Sequence, residues 1–207
     1  MSASPSGTNI EPLRDRKEGA RHFEVAYRVR TGDIDQEMRL RLDAVARYLQ
    51  DVANDNIEAS DYSHSDPFWI VRRTVIDVIQ PISWPATVTA QRWCGALSTR
   101  WTNMRVRLTA EHETNRFNPE PREPGLIETE AFWINVNDQG MPSRITDDML
   151  EMLSSMTDEH RLRWRSMNPD KAPSADEVEL PDPSMTAGTV ASELAWDAVL
   201  SVVRCPA

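Results

Sequence analysis

From His22 the chain alternates, with Phe23, Val25, Tyr27 and Val29 on one side and His22, Glu24, Ala26 and Arg28 on the other. A period of two is that of a half-buried strand, because successive side chains point to opposite faces. Thr31, Gly32 and Asp33 break the pattern, and the period then changes. Leu42, Val45, Ala46, Leu49, Val52 and Ala53 recur at helical spacing and form one continuous apolar stripe, which must lie against something apolar. Asp43 is placed to cap this helix, since a carboxylate there can accept a bond from the free N–H groups of the first turn. Ser60, Asp61 and Pro67 end it near Ala59.

Four more strands are predicted, over 69–80, 87–97, 100–111 and 126–137, each rich in β-branched and aromatic residues. In the third of these, Met104, Val106, Leu108 and Ala110 alternate with Arg105, Arg107 and Thr109, so one face is wet. Gly95 marks a bulge, and the Pro-rich, charged stretch 114–125 reads as an enlarged hairpin loop of the mobile kind. After the turn Asp138-Gln139-Gly140, Thr146 caps a short helix carrying Met149, Leu150, Leu153 and Met156 on one side, and Thr157 begins a second helical piece. One long helix followed by a run of antiparallel strands is an α+β layer pattern, in which the sheet wraps around the single central helix. A hotdog fold is the simplest architecture that satisfies it.

Domain organisation follows from the same pass. Residues 1–21 are a polar, aperiodic lead-in of disordered character, 22–167 form the domain, and 168–188, rich in Pro, Asp, Ser and Ala, form a linker. Only nineteen residues, 189–207, follow. The formal net charge is −10, but residues 1–110 hold 15 of the 23 Lys and Arg against 14 of the 33 Asp and Glu, so the acidity is C-terminal. With no concentrated basic surface, nucleic-acid binding is set aside. Cys94 and Cys205 lack the short spacing of a metal site or a disulfide framework, and no stretch approaches a signal peptide or a membrane span. These features predict a reduced, cytoplasmic setting with no metal and no cofactor.

Familiar catalytic signatures are missing: the seven glycines form no nucleophile elbow, phosphate loop or dinucleotide fingerprint. His22, His64, His112 and His160 are scattered over different elements, and only His64, in the loop after the long helix, stands near an expected cleft mouth. Asp33 and Asp35 precede that helix, where a carboxylate can serve as a general base toward water or can simply hold a turn and a helix start by hydrogen bonding. Cys94, beside Trp93 in a strand, reads as a small buried residue. Trp69, Trp93, Trp101 and Trp133 fall on different strands, where they can line a slot for an acyl chain or pack a core.

Leu49-Gln50-Asp51-Val52-Ala53, followed by Trp69-Ile70-Val71-Arg72-Arg73-Thr74, then Arg100-Trp101, Ala131-Phe132-Trp133-Ile134-Asn135 and Pro142-Ser143-Arg144, resembles the first hotdog domain of acyl-acyl-carrier-protein (acyl-ACP) thioesterases. The likeness runs from about Phe23 to Leu153. It implies hydrolysis of the thioester of fatty acyl-ACP in fatty acid biosynthesis, with a non-catalytic acyl-binding or truncated, inactive protein as the alternative. In the family a second hotdog carries the Asp, Asn and His motif usually assigned the catalysis, and 189–207 resembles only the start of such a domain. The first domain mainly houses the acyl pocket, so Leu49, Val52, Ala53, Trp69 and Trp133 are expected in substrate binding, with Asp33 and Asp35 as the candidate catalytic pair. Acyl carrier protein, itself acidic, is expected to dock on Arg39, Arg41, Arg47, Arg72 and Arg73. A lone hotdog leaves an unpaired strand edge, which predicts a homodimer or a sticky surface to which Trp196, Val199, Leu200, Val202 and Val203 add.

Overall fold

The apolar stripe of the long helix finds its cover in a sheet of antiparallel strands. A computed structural model describes residues 15–60, 68–160 and 202–204 of the 207. The elements run β1 (Phe23–Arg28), α1 (Leu42–Glu58), β2 (Trp69–Gln80), β3 (Ala86–Leu97), β4 (Trp101–His112), β5 (Gly125–Asn135), α2 (Asp147–Ser154) and β6 (Val202–Arg204). Strand order is β1-β3-β4-β5-β2-β6; the first five are antiparallel and β6 lies parallel to β2. This is the α+β hotdog arrangement that the periodicities predict, with strand bounds shifted by at most two residues.

Ala44, Val45, Tyr48 and Val52 of α1 pack into one cluster with Ile76, Val88, Ala90, Val106, Leu108 and Ile127 from the strands, most of them excluded from solvent. The alternation of β4 accounts for this: its even-numbered residues face α1, while Arg105 and Arg107 point to the outer face. There they meet Glu130 at 3.3 Å and Glu128 at 2.7 Å on the directly opposite positions of β5. Residues 15–20 lie against the same region, with Asp15 2.7 Å from Arg107 and Ala20 buried. A second apolar cluster joins Trp93, Cys94, Leu97 and Met104 to Ile145, Leu153 and Met156, so that α2 closes one end of the sheet.

Gly95 does mark a bulge, between Cys94 and Ala96 in the β3–β4 register, and a Cβ there would stand 2.7 Å from the Arg105 Nε. Asp43 is not the helix cap. Arg41 occupies the N-cap position, and Asp43 sits inside the first turn with its carboxylate bound by Arg41 at 2.7–2.8 Å and by Arg47 at 3.1 Å. A bidentate guanidinium outcompetes a backbone N–H for that carboxylate. Thr146 holds the N-cap position of α2, though its side chain makes no capping bond to the first turn. Thr157 begins no helix up to His160; its hydroxyl donates to the Gly95 carbonyl at 2.9 Å, tying the chain to the bulge instead. The loop ahead of β5 is pinned rather than loose, because buried Asn118 donates to the Trp84 carbonyl at 2.5 Å and Asn115 closes the turn on the Phe117 and Asn118 amides.

At the β2 edge, Val202, Val203 and Arg204 pair with Val75, Ile76 and Asp77. Residues 1–14, the linker 168–188, His64, Trp196, Val199 and Leu200 lie outside the described residues.

Candidate functional site

A cavity of about 150 Å³ opens between the C-terminal end of α1, the start of β1, the sheet and α2. Its walls are largely apolar: Phe23, Ile57, Trp69, Met104, Trp133 and, from α2 and the turn after it, Met149, Met152, Leu153 and Met156. The α2 contribution follows from its amphipathic spacing, which turns these residues toward the sheet and leaves Asp147 and Asp148 outside, next to the N-terminal dipole they favour. Methionine thioethers are flexible and polarisable and so adapt to guests of different shape. A dry cavity of this size accommodates a benzene-sized apolar group. Ile57, 42% exposed, stands at the rim.

Arg92 enters this apolar setting from β3. Its Nη1 donates to the Asn56 Oδ1 of α1 at 2.5 Å, and its guanidinium lies 5.9 Å from the Trp133 ring centroid. Burial pulls its pKa down to about 10, which leaves it charged at neutral pH. Arg21, His22, Ser60 and Thr102 complete the polar part of the wall.

The predicted site residues fall in separate places. Trp69 and Trp133 line the cavity. Val52 and Ala53 are fully buried beneath α1, and Leu49 packs against the same core; none of the three lines it. Trp93 is buried on the outer side of the sheet under Arg107, and Trp101 packs against Phe132 with the rings tilted 34° and their centroids 4.6 Å apart. Both stand one residue out of phase with the cavity-facing rows that hold Arg92 and Thr102, so strand alternation separates them from Trp69 and Trp133.

Asp33 and Asp35 lie at the opposite end of α1. Asp33 is buried and accepts from Arg47 Nη2 at 2.6 Å, Tyr48 OH at 2.9 Å and the Arg30 amide at 3.2 Å. Although burial opposes it, these three donors hold its carboxyl below the usual carboxylate range. Burial, reinforced by the Asp33 bond, pushes the Tyr48 phenol above its ordinary value, so it stays a donor. Asp35 accepts from the Arg39 amide at 2.8 Å and from Arg39 Nε at 2.9 Å. Tyr48 precedes Asn56 by two helical turns, which sets the Asp33 clamp about 12 Å along the axis from the cavity.

Of the arginines expected to meet a carrier protein, Arg39, Arg41 and Arg47 each hold local carboxylates within 3.1 Å, Arg73 is buried and Arg72 is exposed. Cys94 is buried as expected, with burial raising its thiol to about 12. His112 accepts from the Ser83 amide at 2.9 Å through Nε2, and His160 is exposed. Arg92, Asn56 and the α2 methionines were not among the predicted site residues. The signal for Arg92 lies in the β3 alternation, where Val88, Ala90, Arg92 and Cys94 form one row and the third member is a cation in an apolar series.

Residues 20–153 match the family model described as the acyl-ACP thioesterase N-terminal domain. Two uncharacterized proteins of Mycobacterium tuberculosis, from strains CDC 1551 / Oshkosh and ATCC 25618 / H37Rv, are each 43% identical over 172 residues, which cover 83% of this chain and 64% of theirs. The chain thus spans less than two thirds of the length of those relatives. Among solved structures, a predicted thioesterase from Bacillus stearothermophilus superposes with a TM-score of 0.54 at 13% identity, covering 67% of this chain and 98% of that one. A DHNA-CoA thioesterase from Staphylococcus aureus superposes with a TM-score of 0.51 at 15% identity, covering 64% and 89%. At such identities these two neighbours speak for the fold alone.

Proposed function

We propose that this chain, which belongs to the acyl-ACP thioesterase N-terminal domain family, holds the acyl group of fatty acyl-ACP during hydrolysis of its thioester in fatty acid biosynthesis. It is a thioesterase-like hotdog domain; the substrate, the reaction and a cytoplasmic setting are our reading. Among the described residues no helix is long and apolar enough to cross a membrane. The observation that carries the reading is the Trp- and Met-lined cavity between α1, the sheet and α2, whose walls suit an aliphatic chain and whose rim at Ile57 leaves a way in. We assign 22–167 to this acyl-holding unit, 168–188 to a linker and 189–207 to the start of a second hotdog.

Asp33 and Asp35 are the carboxylates that their place ahead of α1 nominates as bases. Each would act on water only after release from Arg47 or Arg39, and a general base works best with a pKa near the operating pH. We assign them first to holding the turn. A non-catalytic acyl-binding role is the second reading, favoured by one observation: no carboxylate lines the cavity among the described residues. Measuring thiol release from acyl-ACP and from acyl-CoA separates the two, with Met152→Trp as the blocked-cavity control. Turnover of acyl-ACP above that control is expected. Chain binding without turnover leaves the second reading, and a preference for acyl-CoA replaces the carrier protein as substrate.

A further inference from the structure

We propose that the cavity takes a medium-length aliphatic or aromatic carboxylate, its chain packed on the Trp and Met walls and its anionic end paired with Arg92. The inference rests on the acyl-binding reading above and adds the polarity of the guest. A guanidinium has five N–H donors in a rigid fork, and Arg92 spends one of its own on the neutral Asn56 amide. Among the described residues no carboxylate pairs with it. The other strand arginines show the contrast: on the outer face, Arg105 and Arg107 meet Glu130 and Glu128 across the strand. On the cavity face the positions flanking Arg92 are Phe23 of β1 and Val106 of β4, neither of which can accept a hydrogen bond through its side chain.

A half-buried charge with no counter-ion is costly, and the cost falls when an anion with matching geometry arrives. A carboxylate fits the fork with two parallel bonds, whereas a hydroxyl or a single carbonyl uses one. The Trp133 face beside the guanidinium keeps that fork oriented. The volume sets the other limit, since a space suited to a benzene-sized group holds a short or medium chain and not a long one.

Two sources could supply the anion: the distal carboxylate of a dicarboxylic acyl chain, or the head carboxylate of a released acid. Calorimetric titration of the full chain with two matched pairs distinguishes them, namely the non-hydrolysable thioether analogues of octanedioyl-CoA and octanoyl-CoA, and octanoate and octan-1-ol. In at least one pair the carboxylate is expected to bind roughly tenfold tighter or more, as one charge-assisted bidentate contact provides. The pair that shows it identifies the source. Arg92→Met should erase the difference while the uncharged member still binds, and Arg92→Lys, which keeps the charge but not the fork, should retain only part of it. Should Arg92→Met fail to fold, the native comparison and Arg92→Lys decide. Equal affinities within both pairs, or a preference undiminished in Arg92→Met or in Arg92→Lys, overturn the proposal and leave the acyl-binding reading intact. Failure of every chain to bind, octan-1-ol included, overturns both.

Discussion

Replacing Asp33 separates a carboxylate that holds structure from one that does chemistry. In Asp33→Asn the amide oxygen can still accept from Tyr48, but the charge facing Arg47 is gone. In Asp33→Ala the Arg30 amide loses its acceptor, and Tyr48 OH keeps only the long bond to the Arg28 carbonyl at 3.4 Å. Bonds to a charged group contribute about 1.5–3 kcal/mol each. The Arg47 side chain is 50% exposed, so its share is screened and falls toward the ~0–1 kcal/mol of a surface pair. The expected losses are therefore about 1–2 kcal/mol for Asn and about 2–4 kcal/mol for Ala. With a urea slope of about 1–3 kcal/mol per molar, the Ala midpoint should drop by roughly 1–3 M.

The pH dependence has a definite sign. Because the folded carboxyl of Asp33 lies below its ordinary value of 3.8, its contribution is complete above the unfolded pKa and is lost as pH falls through the folded one. The native-minus-Asn difference should hold at neutral pH and shrink in acid. The assay is urea denaturation followed by circular dichroism, with thioester turnover measured on the same samples. Turnover abolished while the midpoint stays native would refute the structural assignment and make Asp33 the base.

Met152→Trp should fill the cavity and cut acyl-chain binding with the fold intact, whereas Val52→Trp, in the packed core, should lower thermal stability by about 1–3 kcal/mol whatever the chain length; a selective loss of long-chain binding in the Val52 variant would contradict this division. Arg72→Glu should weaken acyl-ACP binding severalfold at low salt and little at high salt, and binding that ignores ionic strength would remove the electrostatic account. Exposed Phe68 and Ile70 lie at the end of β2 that the short β6 pairing does not reach, so light scattering should find a homodimer that Phe68→Ser with Ile70→Ser weakens; a native monomer at tens of micromolar would count against pairing there.

Periodicity was enough to read the architecture, because the α1 stripe and the β4 alternation each name a face and the two faces have only each other to cover. It also held the means to sort the tryptophans. Met104, Val106 and Leu108 fix the parity of β4, which puts Thr102 inward and Trp101 outward. Partners were harder to read. Nothing in the spacing of Asp33, Arg47 and Tyr48 announces one buried cluster, since it depends on how the turn folds back on α1. Asp43 had the composition of a cap, and the competition from Arg41 two residues earlier decided otherwise. The methionines of α2 gave an amphipathic face without saying what it covers, which long-range packing alone determines.

A chamber walled by thioethers is also one whose chemistry an oxidant can rewrite. Met149 and Met152 are partly accessible, while Met104 and Met156 are buried deeper, so peroxide would reach the helix side first. Each sulfoxide adds a polar oxygen where an aliphatic surface had been, and does so in the same compartment as a guanidinium able to bind it. Oxidative damage at this site would therefore convert the chamber from a greasy receptor into a self-satisfied polar one, and reductase repair would restore it.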